Sequence, residues 1–389
     1  MKSERLYFAD WLRILVVFSL VPFHAALSYT GLGDAYVYDP AVKDFYMGLI
    51  DNPGISSHFL NILVDFLNDF SMHLLFFVSG IGTYFALTYR SYKQYLQERV
   101  SKLFLPMVFG ILFIIPIQSF FRAKNLFAFK ENFLKFYPTF FNGIRGTFPE
   151  ANFEWAHLWF LMYLFVFSII ALPLFLFLRK QTVQKKLNFR RHPNFSLYYM
   201  PLIILILFEC LLRPRWPGFQ NLYDDWANFT NYLFYMIFGY IFVLIHSLRK
   251  EIRLKCFINL TLGILCFVIK RIVWETFNIK LGYNMSALLA ISLQTIGTYM
   301  FVLSFIGLGH KYLNNSSFIL KYLQGATFPF YIIHFIPVTI LTYYLLDTDI
   351  NYYIRYLIVI ISSYPIIIMV YELIVKRIRP LGFFMGIKQ

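Results

Sequence analysis

Runs of about 20 apolar residues, the length that an α-helix needs to cross a bilayer, alternate with short polar stretches along nearly the whole chain. We identify ten such runs, of which the fifth and the seventh are the shortest. They cover residues 11–31, 68–88, 103–121, 155–178, 197–212, 229–247, 256–271, 284–308, 323–346 and 354–375. The pattern predicts an all-α fold, a polytopic integral membrane helical bundle with about ten transmembrane helices.

Lys and Arg residues are distributed unevenly between the polar stretches. If the amino terminus is inside, the inner stretches carry about twice as many of them as the outer stretches. Cytoplasmic loops carry this excess, so with an even number of spans we expect both termini to be cytoplasmic. The same topology accounts for the net charge of +15. A nucleic-acid partner would require basic residues gathered on a single soluble face, whereas here they lie between the apolar runs.

Several classes of protein are disfavoured by what the sequence lacks. The chain has no internal repeat, low-complexity linker or soluble segment, and we expect one membrane-embedded domain over residues 1–389 with an uncleaved first span. It contains no phosphate-binding loop, zinc-protease motif or serine nucleophile elbow. The three cysteines show no metal-ligand spacing, so we expect buried structural thiols and no metal.

Two long outer loops are predicted, at residues 30–57 and 122–154. The first is rich in Tyr, Gly and Asp, and the second is rich in Phe. Loops of this length are usually functional or disordered. Aromatic and acidic side chains suit the faces and hydroxyls of sugars, but aromatic residues also anchor loops at the membrane interface. Both interpretations stay open.

Two ionisable residues, Arg13 and His24, lie inside the first apolar run. They are eleven residues apart, and eleven steps of ~100° bring an α-helix back to within ~20° of its starting face. The two side chains therefore share one stripe and are ~16 Å apart along the axis. Aligned intramembrane ionisable groups usually line a cavity or pathway. The alternative for Arg13 is a snorkelling anchor, and for His24 an ordinary core histidine.

The neighbours of these two residues favour a functional interpretation. Asp10 precedes Arg13 by three residues, a helical spacing that allows an ion pair. Pro22 frees the carbonyl four residues before it and can kink the helix beside His24. Imidazole is the side chain best suited to accept a proton near neutral pH.

Further polar pairs occur near other predicted spans. Arg99 and Lys102 are three residues apart and could clamp phosphates at the cytoplasmic surface, although an ordinary positive-inside loop has the same composition. In the ninth run, Tyr331 and His334 share a helix face.

The fourth run opens with a polar and aromatic segment. Glu154 and His157 lie one helical turn apart there, close to Trp159. Tryptophan is also expected at this position as an interface anchor.

Together these segments resemble membrane acyltransferase family 3. Arg13 with His24 is similar to the R-X10-H motif of that family, and the other elements follow in the family's order. They are Phe76 to Gly80, Arg99 to Pro106, His157 to Leu161 and Tyr331 to His334. The chain departs from the pattern at Lys102, where many relatives have a second arginine, and we expect no fused hydrolase-like domain.

The resemblance implies an O-acyltransferase of the inner membrane. Such a protein moves an acyl group, here acetyl or succinyl, from cytoplasmic acyl-CoA to a hydroxyl of an extracytoplasmic envelope glycan. We therefore expect acyl-CoA, the glycan and the lipid bilayer as partners, no nucleic acid, and no metal. The oligomeric state stays open. A transporter or flippase for a glycan or lipid-linked intermediate is the alternative, and a structural scaffold is a weaker third.

The resemblance also implies roles for individual residues. His24 is expected to be the general base, or alternatively an acyl-carrying nucleophile, supported by Asp10 and His334. Donor binding and acceptor binding are expected at two further groups of residues. The donor group is Arg13, Arg99, Lys102 and Arg90, and the acceptor group is His157, Trp159, Tyr331 and Glu154.

Overall fold

A computed structural model describes residues 5–30, 55–143, 152–188, 195–277 and 279–387. These residues form helices and connecting turns, apart from one isolated β-bridge between Thr30 and Ser56, so the predicted all-α class is confirmed. Most of the predicted outer loop 30–57 and part of the loop 122–154 lie outside the described residues. Sugar binding by these loops stays a prediction.

The number of candidate membrane spans is seven among the described residues. It rises to nine if each of two bent helix pairs is one span. The fifth predicted run lies in a helix whose apolar part, Tyr198–Leu212, is shorter than a span. The chain is thus a multi-pass membrane protein, whereas the count of ten spans and the cytoplasmic location of both termini stay predictions.

The helices are numbered in chain order. The first nine are α1 (Tyr7–Leu27), α2 (His58–Tyr89), α3 (Tyr92–Arg99), α4 (Leu105–Phe113), α5 (Ile115–Phe127), α6 (Phe133–Thr139), α7 (Trp159–Ile170), α8 (Leu172–Leu178) and α9 (Gln181–Asn188). A π-helix, Val100–Phe104, connects α3 to α4, and a 3₁₀ turn, Ala156–Leu158, precedes α7. The second half contains α10 (Phe195–Leu212), α11 (Trp226–Leu244), α12 (His246–Leu254), α13 (Cys256–Phe277), α14 (Met285–Tyr312), α15 (Phe318–Ile333), α16 (Phe335–Leu345), α17 (Tyr352–Val370) and α18 (Arg379–Phe384), with a second π-helix, Tyr371–Val375, after α17.

The chain divides into two compact units that interleave along the sequence. The first unit comprises Met1–Val16, Asn68–Gln97 and Tyr163–Lys321. The second comprises Val17–Leu67, Glu98–Met162 and Tyr322–Gln389. Helices α1, α2, α3, α7 and α15 each contribute residues to both units. A single domain over residues 1–389 stays a prediction.

In the first unit, glycines allow α2 and α11 to touch through their backbones. A Cβ atom added at Gly80 would collide with the carbonyl of Met236, and one added at Gly239 would collide with the carbonyl of Phe77. Small residues at helix contacts are the usual means of close packing in membranes. Part of the Phe76 to Gly80 motif therefore serves helix packing.

Two buried carboxylates of the first unit, Asp69 and Glu209, form ion pairs. The Lys270 Nζ lies 2.8 Å from both carboxylate oxygens of Asp69, a pair that the sequence did not suggest. The Glu209 carboxylate accepts two hydrogen bonds, of 2.7 and 2.8 Å, from the guanidinium of Arg213. Both arrangements satisfy charges that would otherwise be costly in a membrane.

Candidate active site

Helix α1 is continuous through both Arg13 and His24, as the spacing predicted. In the first unit, the Arg13 guanidinium lies 3.4 Å from Asp10, so the ion pair that the sequence allowed is present. Asp10 is shared, because Arg5 approaches it to 3.3 Å. Arg13 also lies beside Gly82 of α2, where an added Cβ atom would be 3.7 Å from its guanidinium, an ordinary van der Waals contact.

In the second unit, His24 packs against aromatic rings. Its imidazole stacks on Phe335 at 4.1 Å between ring centroids, and the ring of His334 is 5.3 Å away. The Nδ1 atom of His24 is buried and has no hydrogen-bond partner among the described residues. A histidine that served only the core would ordinarily have both ring nitrogens satisfied.

His334 lies at the break between α15 and α16, which are bent by 48° relative to each other. Its Nδ1 is 2.6 Å from the carbonyl oxygen of Tyr331. A carbonyl can only accept a hydrogen bond, so we assign the proton to Nδ1 and the basic lone pair to Nε2. That Nε2 is buried without a partner in the described part of the chain.

His157 has the opposite tautomer by the same argument. Its Nε2 is 3.1 Å from the carbonyl oxygen of Ile332 and must donate, which leaves Nδ1 basic, buried and unpartnered within the described ranges. The ring lies 4.9 Å from His334 and 5.6 Å from Phe335. The preceding residue, Ala156, has a φ of +40°, a strained conformation of the kind that collects at functional sites.

The structure therefore gathers three imidazoles around one phenylalanine. We call His24, His157, His334 and Phe335 the histidine cluster. The three histidines were candidates in separate segments of the sequence, and the tertiary structure brings them together. No group of three or more His, Cys, Asp and Glu side chains in the described residues is arranged to hold a metal ion.

Two tyrosines of α17 donate hydrogen bonds to backbone carbonyls of α1 near His24. Because Pro22 has no N–H, the carbonyl of Phe18 lacks its helical donor, and the Tyr364 hydroxyl donates to it at 2.8 Å. The Tyr356 hydroxyl donates to the carbonyl of Pro22 at 3.4 Å. The sequence predicted the freed carbonyl but not the tyrosine that binds it.

We expect Tyr364→Phe to destabilise the protein by about 1 kcal/mol, because the Phe18 carbonyl loses its donor. Pro22→Ala restores the missing N–H, so the loss in the double variant should be smaller than the sum of the single losses. Equilibrium unfolding of the four proteins in mixed detergent micelles gives the coupling. Additive effects would contradict this role for Tyr364.

Besides His157, whose Nε2 donates to a backbone carbonyl, two further acceptor-binding candidates have polar groups bound within the protein. The Glu154 carboxylate, which is buried, accepts hydrogen bonds from Ser119 and from Arg122, the latter at 2.7 Å. We had assigned Arg122 to the outer loop, but α5 continues past it and it is buried. The Tyr331 hydroxyl donates to the backbone carbonyl of His157.

The fourth acceptor-binding candidate, Trp159, is buried at the start of α7. Its ring lies edge-to-face with Phe160 at 6.4 Å. The acceptor-binding roles of all four candidates stay predictions.

The remaining donor-binding candidates are divided between the units. Arg90 follows α2 in the first unit, whereas Arg99 and Lys102 belong to the second. Arg99 and Lys102 would share a face if this segment were an α-helix, but a π-helix begins at Val100. In a π-helix, two residues that are three apart lie farther from each other around the axis than in an α-helix. The Lys102 ammonium lies 3.3 Å from Glu98. A joint role of these cations in donor binding stays a prediction.

The apolar helices enclose three imidazoles, each with one buried ring nitrogen that has no partner among the described residues. They define a multi-pass membrane protein with an internal site suited to proton transfer. The chain belongs to the acyltransferase domain family, whose model matches residues 6–372. This confirms the resemblance to membrane acyltransferase family 3. No solved structure matches the chain.

Curated relatives in this family carry a common name. The chain is 23% identical to glucans biosynthesis protein C of Salmonella paratyphi B, Salmonella dublin and Salmonella heidelberg. Each match extends over 209 residues, which is 53% of this chain and 47% of the relative. The matched region thus spans about half the length of these relatives.

Proposed function

We propose that the protein is an inner-membrane O-acyltransferase that moves an acetyl or succinyl group from cytoplasmic acyl-CoA to a hydroxyl of an extracytoplasmic envelope glycan. The family supports acyl transfer, and the name of the relatives supports a glucan as the acceptor. The observation that carries the proposal is the buried, partnerless nitrogen of His24 within the histidine cluster.

In this mechanism His24 is the general base. A ring nitrogen of His24 takes the proton of the acceptor hydroxyl as the hydroxyl oxygen bonds to the thioester carbon. The carbon–sulfur bond then breaks, and the sulfur of coenzyme A leaves with the proton returned by the imidazolium. His334 and His157, which have fixed tautomers, orient the base and the acceptor. The surrounding aromatic rings exclude the water that would hydrolyse the donor.

Donor binding is proposed at the other end of the α1 stripe. Arg13, held by Asp10, binds the phosphates of coenzyme A at the cytoplasmic end of the helix, with Arg90, Arg99 and Lys102 assisting. The ~16 Å rise between Arg13 and His24 is comparable to the reach of the pantetheine arm. The thioester would then arrive beside His24.

A transporter or flippase is the second candidate, because discontinuous helices are also common in transporters. Helices α15 and α16 break at His334, and α7 and α8 are bent by 53°. Broken helices can hold a reacting group as well as a transported one. The two functions differ in the fate of the thioester bond.

We expect purified protein in detergent to release free thiol from acetyl-CoA or succinyl-CoA when a glucan acceptor is present. Thiol release is followed with a colorimetric thiol reagent, and acylated glucan is detected by mass spectrometry. Heat-denatured protein serves as the control. If neither thioester is consumed while the glucan crosses a proteoliposome membrane, the transporter is correct and the enzyme is not.

A further inference from the structure

Three uncharged side chains on α5 and α16 of the second unit carry polar atoms that nothing in the described structure binds. They are Gln118 of α5 and Thr339 and Thr342 of α16, with relative exposures of 0%, 1% and 1%. The amide nitrogen and oxygen of Gln118 and both threonine hydroxyls are buried without a hydrogen-bond partner among the described residues. We call these three residues the polar layer.

The polar layer lies where α5 and α16 face each other. The rings of Phe121 on α5 and Tyr343 on α16 are in contact at 5.2 Å. Gln118 precedes Phe121 by three residues and Thr339 precedes Tyr343 by four, so each lies one helical turn before the contact on a similar face.

The two helices run in the same direction. Gly110, which precedes α5 in the same predicted span, packs against Leu158, the neighbour of His157. His157 contacts Phe335, the first residue of α16. Gly110 and Phe335 are therefore at a similar depth, and from there both chain segments run toward the contact between Phe121 and Tyr343. Gln118 and Thr339 are therefore at similar depths.

The same stripe of α16 connects the polar layer to the histidine cluster. Phe335, Thr339 and Thr342 are spaced by four and three residues and share one face of the helix. The stripe extends ~10 Å from Phe335 to Thr342. It begins at the ring on which His24 stacks.

Unpartnered buried polar groups are unfavourable and rare. Each costs about 1–3 kcal/mol, and a large majority of such groups in folded proteins are paired. Threonines in helices can bond to the carbonyl four residues earlier, as Thr295 and Thr327 do here, but Thr339 and Thr342 do not. Binding sites are where such groups occur, because the ligand satisfies them.

The chemistry of the polar layer identifies the class of ligand. An amide and two hydroxyls are uncharged, and each can both donate and accept hydrogen bonds. Vicinal hydroxyls of a neutral sugar have the same dual character. An anionic or cationic ligand would instead require an opposite charge among these three side chains.

We infer that Gln118, Thr339 and Thr342 bind the hydroxyls of a neutral sugar ring, and that this is the acceptor subsite of the transferase. The inference rests on the proposed function for the identity of the sugar as acceptor. A ring held here lies one to two helical turns from the histidine cluster, so a neighbouring hydroxyl can reach His24.

The experiment removes polar atoms: Thr→Val keeps the shape of the side chain, and Gln→Leu keeps roughly its size. Thr339→Val, Thr342→Val and Gln118→Leu remove unsatisfied groups, so we expect unliganded variants to melt at the same temperature as the wild type or higher. We expect each to raise the KM for the acceptor about 10-fold, as for one lost hydrogen bond of about 1.4 kcal/mol, with the KM for acyl-CoA unchanged. Thr295→Val, whose hydroxyl is bonded to Ile291 in the first unit, is the matched control and should leave the acceptor KM unchanged.

Binding is measured separately from turnover. Glucose trisaccharides of several linkages are screened by thermal shift, and the most stabilising one is titrated by calorimetry into the wild type and the variants. Weaker binding by the three variants, but not by Thr295→Val, supports the inference. Unchanged binding, no stabilising trisaccharide, or lower melting temperatures in all three variants would overturn it.

The two proposals fail in different ways. If the trisaccharide binds through the polar layer but no thioester is consumed, the acyltransferase function is wrong and the sugar site stands. If thiol is released with an acceptor KM that the three variants do not alter, the function stands and the sugar site is wrong.

Discussion

Acyl transfer should fall by about 10²- to 10⁴-fold when His24 is replaced by alanine, because the acceptor hydroxyl then has no base to take its proton. The kcat for thiol release should account for most of the loss, since the substitution removes a group that acts in the transition state. His157→Gln and His334→Gln should have smaller effects if these residues only orient the acceptor and the base. Thiol release from acyl-CoA under saturating acceptor measures all three.

His58 provides the matched control for the histidine substitutions. It is the first residue of α2 and is exposed, so His58→Ala should leave turnover unchanged. Near-wild-type turnover by a folded His24→Ala variant would exclude His24 as the base. A covalent acyl group trapped on His24 in a single-turnover experiment would instead select the nucleophilic mechanism.

Glu154→Gln should destabilise the protein by about 3–5 kcal/mol, because it leaves the guanidinium of Arg122 buried without a countercharge. The two side chains of this ion pair are only 5% and 2% exposed. The double variant with Arg122→Met and Glu154→Gln removes both charges. It should recover much of the lost stability, since no unpaired buried charge then remains. Equilibrium unfolding in mixed micelles measures both variants.

An exposed ion pair serves as the control for this prediction. Lys135 and Glu131 also form a bridge of 2.7 Å, but their side chains are 65% and 54% exposed. Glu131→Gln should therefore cost at most about 1 kcal/mol. If Glu154→Gln were equally mild and instead raised the KM for the acceptor, the carboxylate would be a substrate contact, as the sequence first suggested.

Residues on one helix were the most predictable part of the candidate site. The alignment of Arg13 with His24, the ion pair with Asp10 and the carbonyl freed by Pro22 all follow from the constant repeat of a helix. They required no knowledge of neighbouring helices. The family followed from the same short motifs, because their order along the chain is itself a property of the sequence.

Contacts between helices were not predictable in the same way. Nothing in the pattern around Glu154 indicates that Arg122 binds it, because the third apolar run of the sequence ends one residue before that arginine. The sequence does not distinguish Gln118, Thr339 and Thr342 from the other uncharged polar residues that are common in membrane helices. Only their burial without partners sets them apart.

The sequence by itself determined that this is a multi-pass membrane protein of an acyltransferase family with a cation and an imidazole on one face of its first helix. The length of an apolar run and the period of a helix are local properties, so both can be identified from the sequence alone. The tertiary structure alone decided that His157 and His334 join His24 around Phe335. That arrangement depends on which helix faces pack together, and packing is a property of all the helices at once.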